Sequence, residues 1–209
     1  MSRFGPDPHT FFDAVYQAQP PWDIGGPQPA LSALFDAFPP ASPVLDLGCA
    51  SGDLSIHLAR RGLEVLGVDF VATAVDHARE KAAALPAEIA SRLRVEVADG
   101  LRPSALSQRF GAVVDSGFFH LFDPEQGERF VADLAGALRP GGRYYLLAFA
   151  LEFEIPNVPR AISQDEIRAR FTSEAGWNLL SLEEAEFLNR VGPPVPATRA
   201  CIERVTAKN

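Results

Sequence analysis

The sequence predicts an α/β fold built on parallel strands, and three observations support this prediction. An apolar run at residues 44–47 is too short for a helix and is rich in strand formers. A turn of small residues and a helical pattern follow it, and a second apolar run at residues 64–68 comes next. The same alternation of short apolar runs and amphipathic stretches continues beyond residue 90. Such alternation is typical of β-α-β units.

The turn after the first predicted strand runs from Gly48 to Gly52 and contains only small residues. Small residues allow the backbone to approach a ligand closely. Open α/β sheets bind their ligands at the carboxyl ends of the strands, where this turn lies. The turn is therefore the first candidate for a ligand site.

The residues of this turn favour a cationic ligand that carries no phosphate. A dinucleotide site requires G-x-G-x-x-G, but Ala50 and Asp53 occupy its second and third glycine positions, and the phosphate-binding G-x-x-x-x-G-K-S/T pattern is absent. A carboxylate at Asp53 would repel phosphate, whereas Asp46, Asp53 and Asp69 suit positive charge. S-adenosylmethionine, with its sulfonium and amino groups, is such a ligand, and Asp69 can accept hydrogen bonds from its ribose hydroxyls.

The N-terminal 27 residues are interrupted by prolines and are predicted to form an arm. Asp7 and Pro8 resemble a helix cap and first helical position, and the apolar residues that follow them form one face of a short helix. This helix is expected either to cover the ligand or to cap the sheet. The next helix includes residues 31–38 and stops at two prolines.

The rest of the chain continues the alternation of strands and helices. The later strands are predicted at residues 93–97, 111–116, 143–149, 177–186 and 198–205. Helices are predicted from the apolar faces within residues 71–82, 130–138 and 163–171, and a capping box is predicted at Ser163–Glu166.

Composition limits the possible classes of protein. The chain has 209 residues, 47% of them hydrophobic, which is enough for one core and one domain. Its formal net charge of −8 argues against binding to nucleic acid. Cys49 and Cys201 provide no disulfide framework, and neither a signal peptide nor an apolar run of membrane-spanning length is found. We therefore expect a cytoplasmic protein that does not contact a membrane.

Three segments resemble a known family. The pattern Asp46-Leu-Gly48-x-Ala50-x-Gly52 resembles motif I of the class I S-adenosylmethionine-dependent methyltransferases. In this chain, Ala50 replaces the middle glycine that is usual in that motif. Residues 21–29, P-W-D-I-G-G-P-Q-P, resemble a segment of the thiopurine and thiol methyltransferase branch. Residues 138–147, L-R-P-G-G-R-Y-Y-L-L, resemble the segment before the fifth strand of the family. The resemblance covers nearly the whole chain.

The resemblance implies a doubly wound, Rossmann-like, mostly parallel sheet of seven strands. The implied strand order is 3-2-1-4-5-7-6, with an antiparallel last strand and helices on both faces. It also implies one methyltransferase domain over residues 1–209, in which residues 1–27 form an arm or lid over the cofactor.

The resemblance also implies a set of residues that bind S-adenosylmethionine and its product S-adenosylhomocysteine. This set comprises Trp22, Asp46, Gly48, Ala50, Gly52, Asp69, Phe70, Asp99, Gly100, Asp115 and Ser116. Asp99 matches the position that hydrogen-bonds the adenine amino group, although an aspartate before glycine is also common in plain turns. Trp22 either contacts the cofactor or only anchors the arm to the core.

Methyl transfer requires the acceptor atom to be held in line with the methyl group, and some acceptors also require a base. His120 follows the fourth predicted strand and is the candidate general base, with a packing role as the alternative. Asp115 is expected to hold the methionine end of the cofactor or to orient the site. An apolar acceptor pocket is predicted from Phe118, Phe119 and Phe153, with Phe122 and Phe149 as further candidates. Each of the five can equally belong to the core, and at least two are expected to do so.

The predicted activity is methyl transfer to sulfur, oxygen or nitrogen of a small, largely apolar molecule, without a metal. No histidine has a partner at metal-ligand spacing. One alternative is a non-catalytic S-adenosylmethionine-binding sensor or partner subunit. The other is a nicotinamide-dependent oxidoreductase, which thermal-shift titration with NAD would distinguish.

Overall fold

The computed structural model describes residue 4, residues 7–155 and residues 157–205. Its sheet has seven strands in the order β3-β2-β1-β4-β5-β7-β6. The strands are β1 Val44–Leu47, β2 Val65–Asp69, β3 Leu93–Val97, β4 Phe110–Ser116, β5 Leu138–Phe149, β6 Trp177–Phe187 and β7 Val195–Arg204. Strands β1 to β5 pair in parallel, and β7 is antiparallel to both β5 and β6. The predicted order and the antiparallel last strand are confirmed.

Helices cover both faces of the sheet. They are α1 Pro8–Tyr16, α2 Pro29–Ala37, α3 Asp53–Arg60, α4 Ala72–Ala83, α5 Ala87–Ala90, α6 Pro124–Ala137 and α7 Gln164–Arg170. Successive strand residues point to opposite faces, so Leu45 packs into the core cluster that includes α6 and α7, and Val44 into the cluster that includes α2 and α3. The doubly wound architecture is therefore confirmed. Within the described ranges, no helix has the length and apolar character needed to cross a bilayer.

The junction between α6 and β5 differs from the prediction. The sequence placed Leu138 in the helix and began the strand at Arg143, but α6 ends at Ala137 and Leu138 already pairs with Phe110. The register then shifts before Arg143 pairs with Ala112. The intervening residues are accommodated as an irregularity in the ladder, in the manner of a β-bulge.

The capping interactions also differ in part. Ser163 accepts a hydrogen bond from the Glu166 amide, but the Glu166 carboxylate binds the Arg160 and Arg170 guanidinium groups instead of returning to the cap. Charge-assisted bonds of this kind are stronger than a bond to a neutral amide. A complete capping box, which the sequence analysis did not predict, lies at Asp123 and Gln126.

The arm packs beside the Gly48–Gly52 turn. Phe12 and Tyr16 of α1 form a cluster with Val71 and Ala74 at the start of α4. The Thr73 hydroxyl donates a hydrogen bond of 2.6 Å to an Asp13 carboxylate oxygen. Residues 1–3 and 5–6 of the predicted arm lie outside the described residues. Its role as a lid stays a prediction.

Candidate active site

The sheet topology brings the carboxyl ends of β1, β2, β4, β5 and β6 to one edge. Strand β6 shares this edge because it is antiparallel to β7, which is itself antiparallel to β5. A cavity of about 410 Å³ opens at this edge and is also lined by the arm and by residues 157–159; we call it the main cavity because the Gly48–Gly52 turn lies at it. The candidate site therefore lies where the glycine turn predicts it.

The glycine turn has left-handed backbone angles at Gly48, Ala50 and Gly52, with φ of 63°, 50° and 82°. A Cβ atom on Gly48 would lie 2.8 Å from Phe118 Cδ2, and one on Gly52 would lie 2.8 Å from Ala78 Cβ. Gly48 and Ala50 line the main cavity, whereas Gly52 lies outside the described lining and allows α3 to approach α4. Left-handed backbone at Ala50 costs roughly 1–2 kcal/mol, which the surrounding contacts must offset.

Asp69 shapes this turn from the end of β2. Its buried carboxylate accepts hydrogen bonds from the backbone amides of Ala50, at 3.1 Å, and Val71, at 2.9 Å. Burial raises the pKa of Asp69, although these hydrogen bonds lower it. A carboxylate has about four acceptor positions, so capacity for ligand hydroxyls remains.

Asp46 lies at the end of β1 and also lines the main cavity. Its buried carboxylate accepts a hydrogen bond of 2.6 Å from the Ser55 hydroxyl. Burial raises the pKa of Asp46 to about 7; the Ser55 hydrogen bond opposes this shift, and the nearby charges of Asp115 and Asp69 add to it. A cation in the cavity would favour the ionised form of Asp46.

Asp53 forms an ion pair, which weakens the sequence argument that its carboxylate would repel phosphate. Lys81 Nζ lies 2.9 Å from Asp53 Oδ2 and also donates to Ser51 Oγ at 2.9 Å. Asp53 is thus not an isolated anion at the turn, and the case against phosphate rests more on Asp46 and Asp69. The Ser51 hydroxyl also approaches the Asp23 carboxylate at 3.4 Å, which connects the arm to the turn.

Aromatic residues line the arm side of the main cavity. Trp22 and Phe70 both line it. The Trp22 ring lies 6.1 Å from the Tyr16 ring, and the Phe70 ring lies 5.8 Å from Phe12, each in an edge arrangement. Burial raises the pKa of the Tyr16 phenol, and the charge of Asp69 adds to this effect.

A second cavity of about 530 Å³ adjoins the first and is lined by Asp99 and Gly100. The two cavities share Phe70 and Phe118. The exposed Asp99 carboxylate accepts a hydrogen bond of 2.9 Å from the Leu101 amide, so it forms the plain turn that was the alternative prediction while also lining the cavity. The three carboxylates Asp46, Asp69 and Asp99 therefore lie in adjoining cavities rather than in one.

Asp115 points away from both cavities. Its fully buried carboxylate accepts hydrogen bonds from the Phe118 amide at 2.7 Å, the Phe119 amide at 3.0 Å and the Tyr144 hydroxyl at 2.6 Å. Burial raises the pKa of Asp115 to about 7, and the three hydrogen bonds oppose the shift. The neighbouring Ser116 does line the main cavity. The structure thus separates two residues that the sequence analysis grouped together.

His120 lines the main cavity but is buried and hydrogen-bonded. Its Nδ1 accepts a hydrogen bond of 3.1 Å from the Phe149 amide. Burial lowers the pKa of His120 to about 3; a hydrogen bond to the Gly117 backbone opposes the shift, and the charge of Arg160 adds to it. The His120 ring lies 4.5 Å from the Phe149 ring and 6.2 Å from the Phe187 ring. We call these three rings the aromatic wall.

Only some of the phenylalanines predicted to form the acceptor pocket line a cavity. Phe118 lines both cavities, and Phe149 lines the main one. Phe119 is fully buried in the core, where its ring lies 6.0 Å from that of Phe122. Phe153 contacts Phe149 but is not part of the described lining of either cavity.

Tyr16 and Phe187 are among the lining residues of the main cavity that were not predicted as site residues. Tyr16 was assigned only to the apolar face of α1, and its helical spacing does not distinguish a core contact from a cavity contact. Phe187 ends β6, and its position at the carboxyl end of a predicted strand was the available signal. Its proximity to His120 depends on the β5-β7-β6 pairing, which lies outside any local pattern.

The residues around the main cavity fit a cationic nucleoside without phosphate. Its described lining contains four aspartates, Asp23, Asp46, Asp53 and Asp69, and no lysine or arginine. Buried carboxylates suit amino and sulfonium groups and disfavour phosphates. No cluster of three or more histidine, cysteine or acidic side chains that could hold a metal occurs among the described residues. S-adenosylmethionine matches this set of acceptors.

Comparisons with known proteins agree with this assignment. Residues 44–142 match the protein family described as "Methyltransferase domain". The 2-heptyl-1-hydroxyquinolin-4(1H)-one methyltransferase of Mycobacteroides abscessus is 32% identical over 153 residues, which are 72% of this chain and 66% of the relative. The chain thus spans just under two thirds of that protein. The probable thiol methyltransferase 2 of Arabidopsis thaliana is 26% identical over 174 residues, 83% of this chain and 74% of the relative.

A solved structure resembles nearly the whole chain. It is described as "Conversion of a Disulfide Bond into a Thioacetal Group during Echinomycin Biosynthesis" and is 33% identical, with a TM-score of 0.80. The match covers 94% of this chain and 93% of that one. Together with the glycine turn and the carboxylates beside it, these matches establish the family. The chain belongs to the class I S-adenosylmethionine-dependent methyltransferases.

Proposed function

We propose that this chain transfers a methyl group from S-adenosylmethionine to sulfur, oxygen or nitrogen of a small, largely apolar molecule. The observation that supports this proposal is the division of the main cavity. Asp46 and Asp69 line it at the ends of β1 and β2, which we call the cofactor half. The aromatic wall lines it after β4 and at the ends of β5 and β6, which we call the acceptor half.

In the cofactor half, each carboxylate has a distinct proposed partner. Asp69 accepts hydrogen bonds from the ribose hydroxyls, since its carboxylate retains capacity beyond the Ala50 and Val71 amides. Asp46 faces the amino group, whose charge offsets the cost of ionising a buried acid. The left-handed turn at Gly48 and Ala50 lets the backbone approach the ligand without a large side chain between them.

The remaining predicted cofactor residues divide between the two cavities. Phe70, Asp99 and Gly100 line the second cavity, and we assign them to the adenine ring. Trp22 and Ser116 line the main cavity, and we assign them to the methionine end. We assign Gly52 and Asp115 indirect roles, because Gly52 allows helix packing at the turn and Asp115 holds the backbone after Ser116.

The acceptor half excludes water and positions the acceptor. S-adenosylmethionine supplies an activated methyl group, so the chain mainly has to hold the acceptor atom about 3 Å from it and in line. An apolar site also favours the reaction because positive charge disperses as the product forms. The names of the two relatives specify an alkylated hydroxyquinolinone and a thiol, which supports a small acceptor.

Incubation with methyl-labelled S-adenosylmethionine and a panel of thiols, phenols and amines tests this proposal. We expect label transfer to at least one acceptor, together with a rise in melting temperature on adding S-adenosylhomocysteine but not NAD. A melting shift without any transfer would favour the non-catalytic binding protein. A shift with NAD alone would favour the oxidoreductase.

The affinity for S-adenosylhomocysteine should depend on pH through Asp46. Burial raises the pKa of Asp46 to about 7 in the free protein, and a bound amino group should lower it by favouring the carboxylate. Binding then releases a proton below that pKa, so affinity should fall about tenfold from pH 8 to pH 6. Isothermal titration calorimetry at the two pH values measures this change.

The control for this prediction is Asp46→Asn, which retains the shape of the side chain but does not titrate. Its affinity should be lower and nearly equal at the two pH values. Equal affinities in the unmodified protein would contradict the assignment of Asp46 to the amino group.

A further inference from the structure

His120 is a buried titratable residue in the acceptor half whose chemistry is not used above. We propose that it is a positioning residue rather than a base, and that the cavity serves acceptors acidic enough to lose their proton to solvent before transfer. This inference rests on the proposed function and specifies its class of substrate. Examples of such acceptors are thiols and electron-poor phenols or N-hydroxy compounds.

The hydrogen bond at Nδ1 leaves no ring nitrogen of His120 free to accept a proton. Nδ1 accepts a hydrogen bond from the Phe149 amide, with 3.1 Å between the two nitrogens, so the Nδ1 lone pair is occupied. The proton of the neutral ring must then lie on Nε2. Nε2 lies beside Gly117, where a Cβ atom would come within 3.0 Å of it. A general base needs a lone pair directed at the substrate, which this tautomer lacks.

The surroundings of His120 also oppose the charged form that a base must adopt. The ring is almost fully buried and packs against Phe149 and Phe187. The Arg160 amide donates to the His120 carbonyl at 3.0 Å, and the charge of the Arg160 guanidinium disfavours an imidazolium ion. Arg160 is itself held by Glu166 at 2.6 Å, so its position is fixed.

The other titratable side chains of the described lining belong to the cofactor half or the arm. Asp46 and Asp69 are hydrogen-bonded and assigned to the cofactor, and Asp53 is paired with Lys81. Asp23 accepts hydrogen bonds from the arm and from Ser51. The Cys49 thiol and the Tyr16 phenol are buried, and burial raises the pKa of each. The acceptor half thus presents His120 beside apolar and amide groups.

The geometry gives His120 a different task. By binding the Phe149 amide at the end of β5, the ring holds Phe149 and Phe187 in one wall, with their ring centroids 5.1 Å apart. This wall fixes where an apolar acceptor can lie. The acceptor proton passes to water before binding. A bond then forms between the acceptor heteroatom and the methyl carbon as the carbon–sulfur bond breaks, and its electron pair stays on sulfur.

The pH dependence of kcat/KM for a series of acceptors tests the proposal on the unmodified protein. The probes are 4-nitrobenzenethiol, benzenethiol and phenylmethanethiol, whose acidities fall in that order. We expect the midpoint of each profile to follow the pKa of its own probe. One midpoint shared by all three would identify a base on the protein and overturn the inference.

The failure of this inference is distinguishable from failure of the proposed function. If S-adenosylhomocysteine raises the melting temperature but none of the three thiols is methylated, the proposed class of acceptor is wrong and the cofactor site stands. If S-adenosylhomocysteine does not bind, the proposed function itself fails.

His120→Asn provides the matched variant, because its side-chain oxygen can still accept the Phe149 amide while the aromatic ring is lost. We expect a severalfold rise in KM, weaker acceptor binding in calorimetry on the S-adenosylhomocysteine complex, and an unchanged pH midpoint. A loss of kcat of about 100-fold or more would indicate a general base instead. His77→Asn, on the exposed side of α4, is the control. The acceptor series decides the question even if His120→Asn does not fold.

Discussion

Replacing Asp69 with alanine should weaken S-adenosylhomocysteine binding about 10- to 100-fold. A hydrogen bond to a charged group contributes about 1.5–3 kcal/mol, and each 1.4 kcal/mol corresponds to a tenfold change in affinity. The structure gives Asp69 a second role, because its carboxylate also accepts the Ala50 and Val71 amides. Loss of the ribose contact and loosening of the turn should act in the same direction. Isothermal titration calorimetry measures the effect.

Two variants separate these roles of Asp69. Asp69→Asn retains one side-chain oxygen for a turn amide and should bind more tightly than Asp69→Ala. Asp76→Ala, an exposed substitution on α4, should leave affinity unchanged. Affinity of the Asp69→Ala protein equal to that of the unmodified protein would remove Asp69 from the site.

Replacing Asp115 with alanine should lower the free energy of unfolding by about 4 kcal/mol. The substitution leaves the Phe118 and Phe119 amides and the Tyr144 hydroxyl without their acceptor in a fully buried region. Each unsatisfied buried donor costs about 1–3 kcal/mol. Urea unfolding monitored by circular dichroism measures the loss.

Tyr144→Phe is the graded control for this prediction. It removes one of the three donors and keeps the ring, so the loss should be only about 1 kcal/mol. An Asp115→Ala protein as stable as Tyr144→Phe would show that the buried carboxylate does not hold the turn after β4.

The sequence was sufficient to place the Gly48–Gly52 turn, Asp46 and Asp69 at one edge of the sheet because their positions depend on local or adjacent elements. The glycine turn follows β1 directly, and Asp69 ends β2, the parallel neighbour of β1. Parallel pairing of consecutive strands requires their carboxyl ends to meet, so Asp46 and Asp69 had to lie close together. Motif I could therefore be interpreted without coordinates, and the family comparison confirms the resemblance.

The sequence could not show in the same way which side chains of the acceptor half face the cavity. Three adjacent phenylalanine and histidine residues follow β4, and periodicity alone does not determine which of them faces the cavity. A 3-10 turn, Phe119–Leu121, directs Phe119 into the core and His120 towards Phe149. The amide that His120 binds lies 29 residues away in the chain, so no local sequence pattern indicates this hydrogen bond.

The sequence by itself determined the β-α-β framework, the Gly48–Gly52 turn and the acidic residues at the ends of β1 and β2. These features follow from short-range backbone preferences and from the alternation of apolar residues. The tertiary structure alone decided that Asp115 is buried beneath the site, that Asp53 pairs with Lys81 and that His120 Nδ1 accepts a hydrogen bond from the Phe149 amide. The reason is that side-chain orientation and burial depend on packing between distant segments, and burial in turn determines which titratable groups remain available for chemistry.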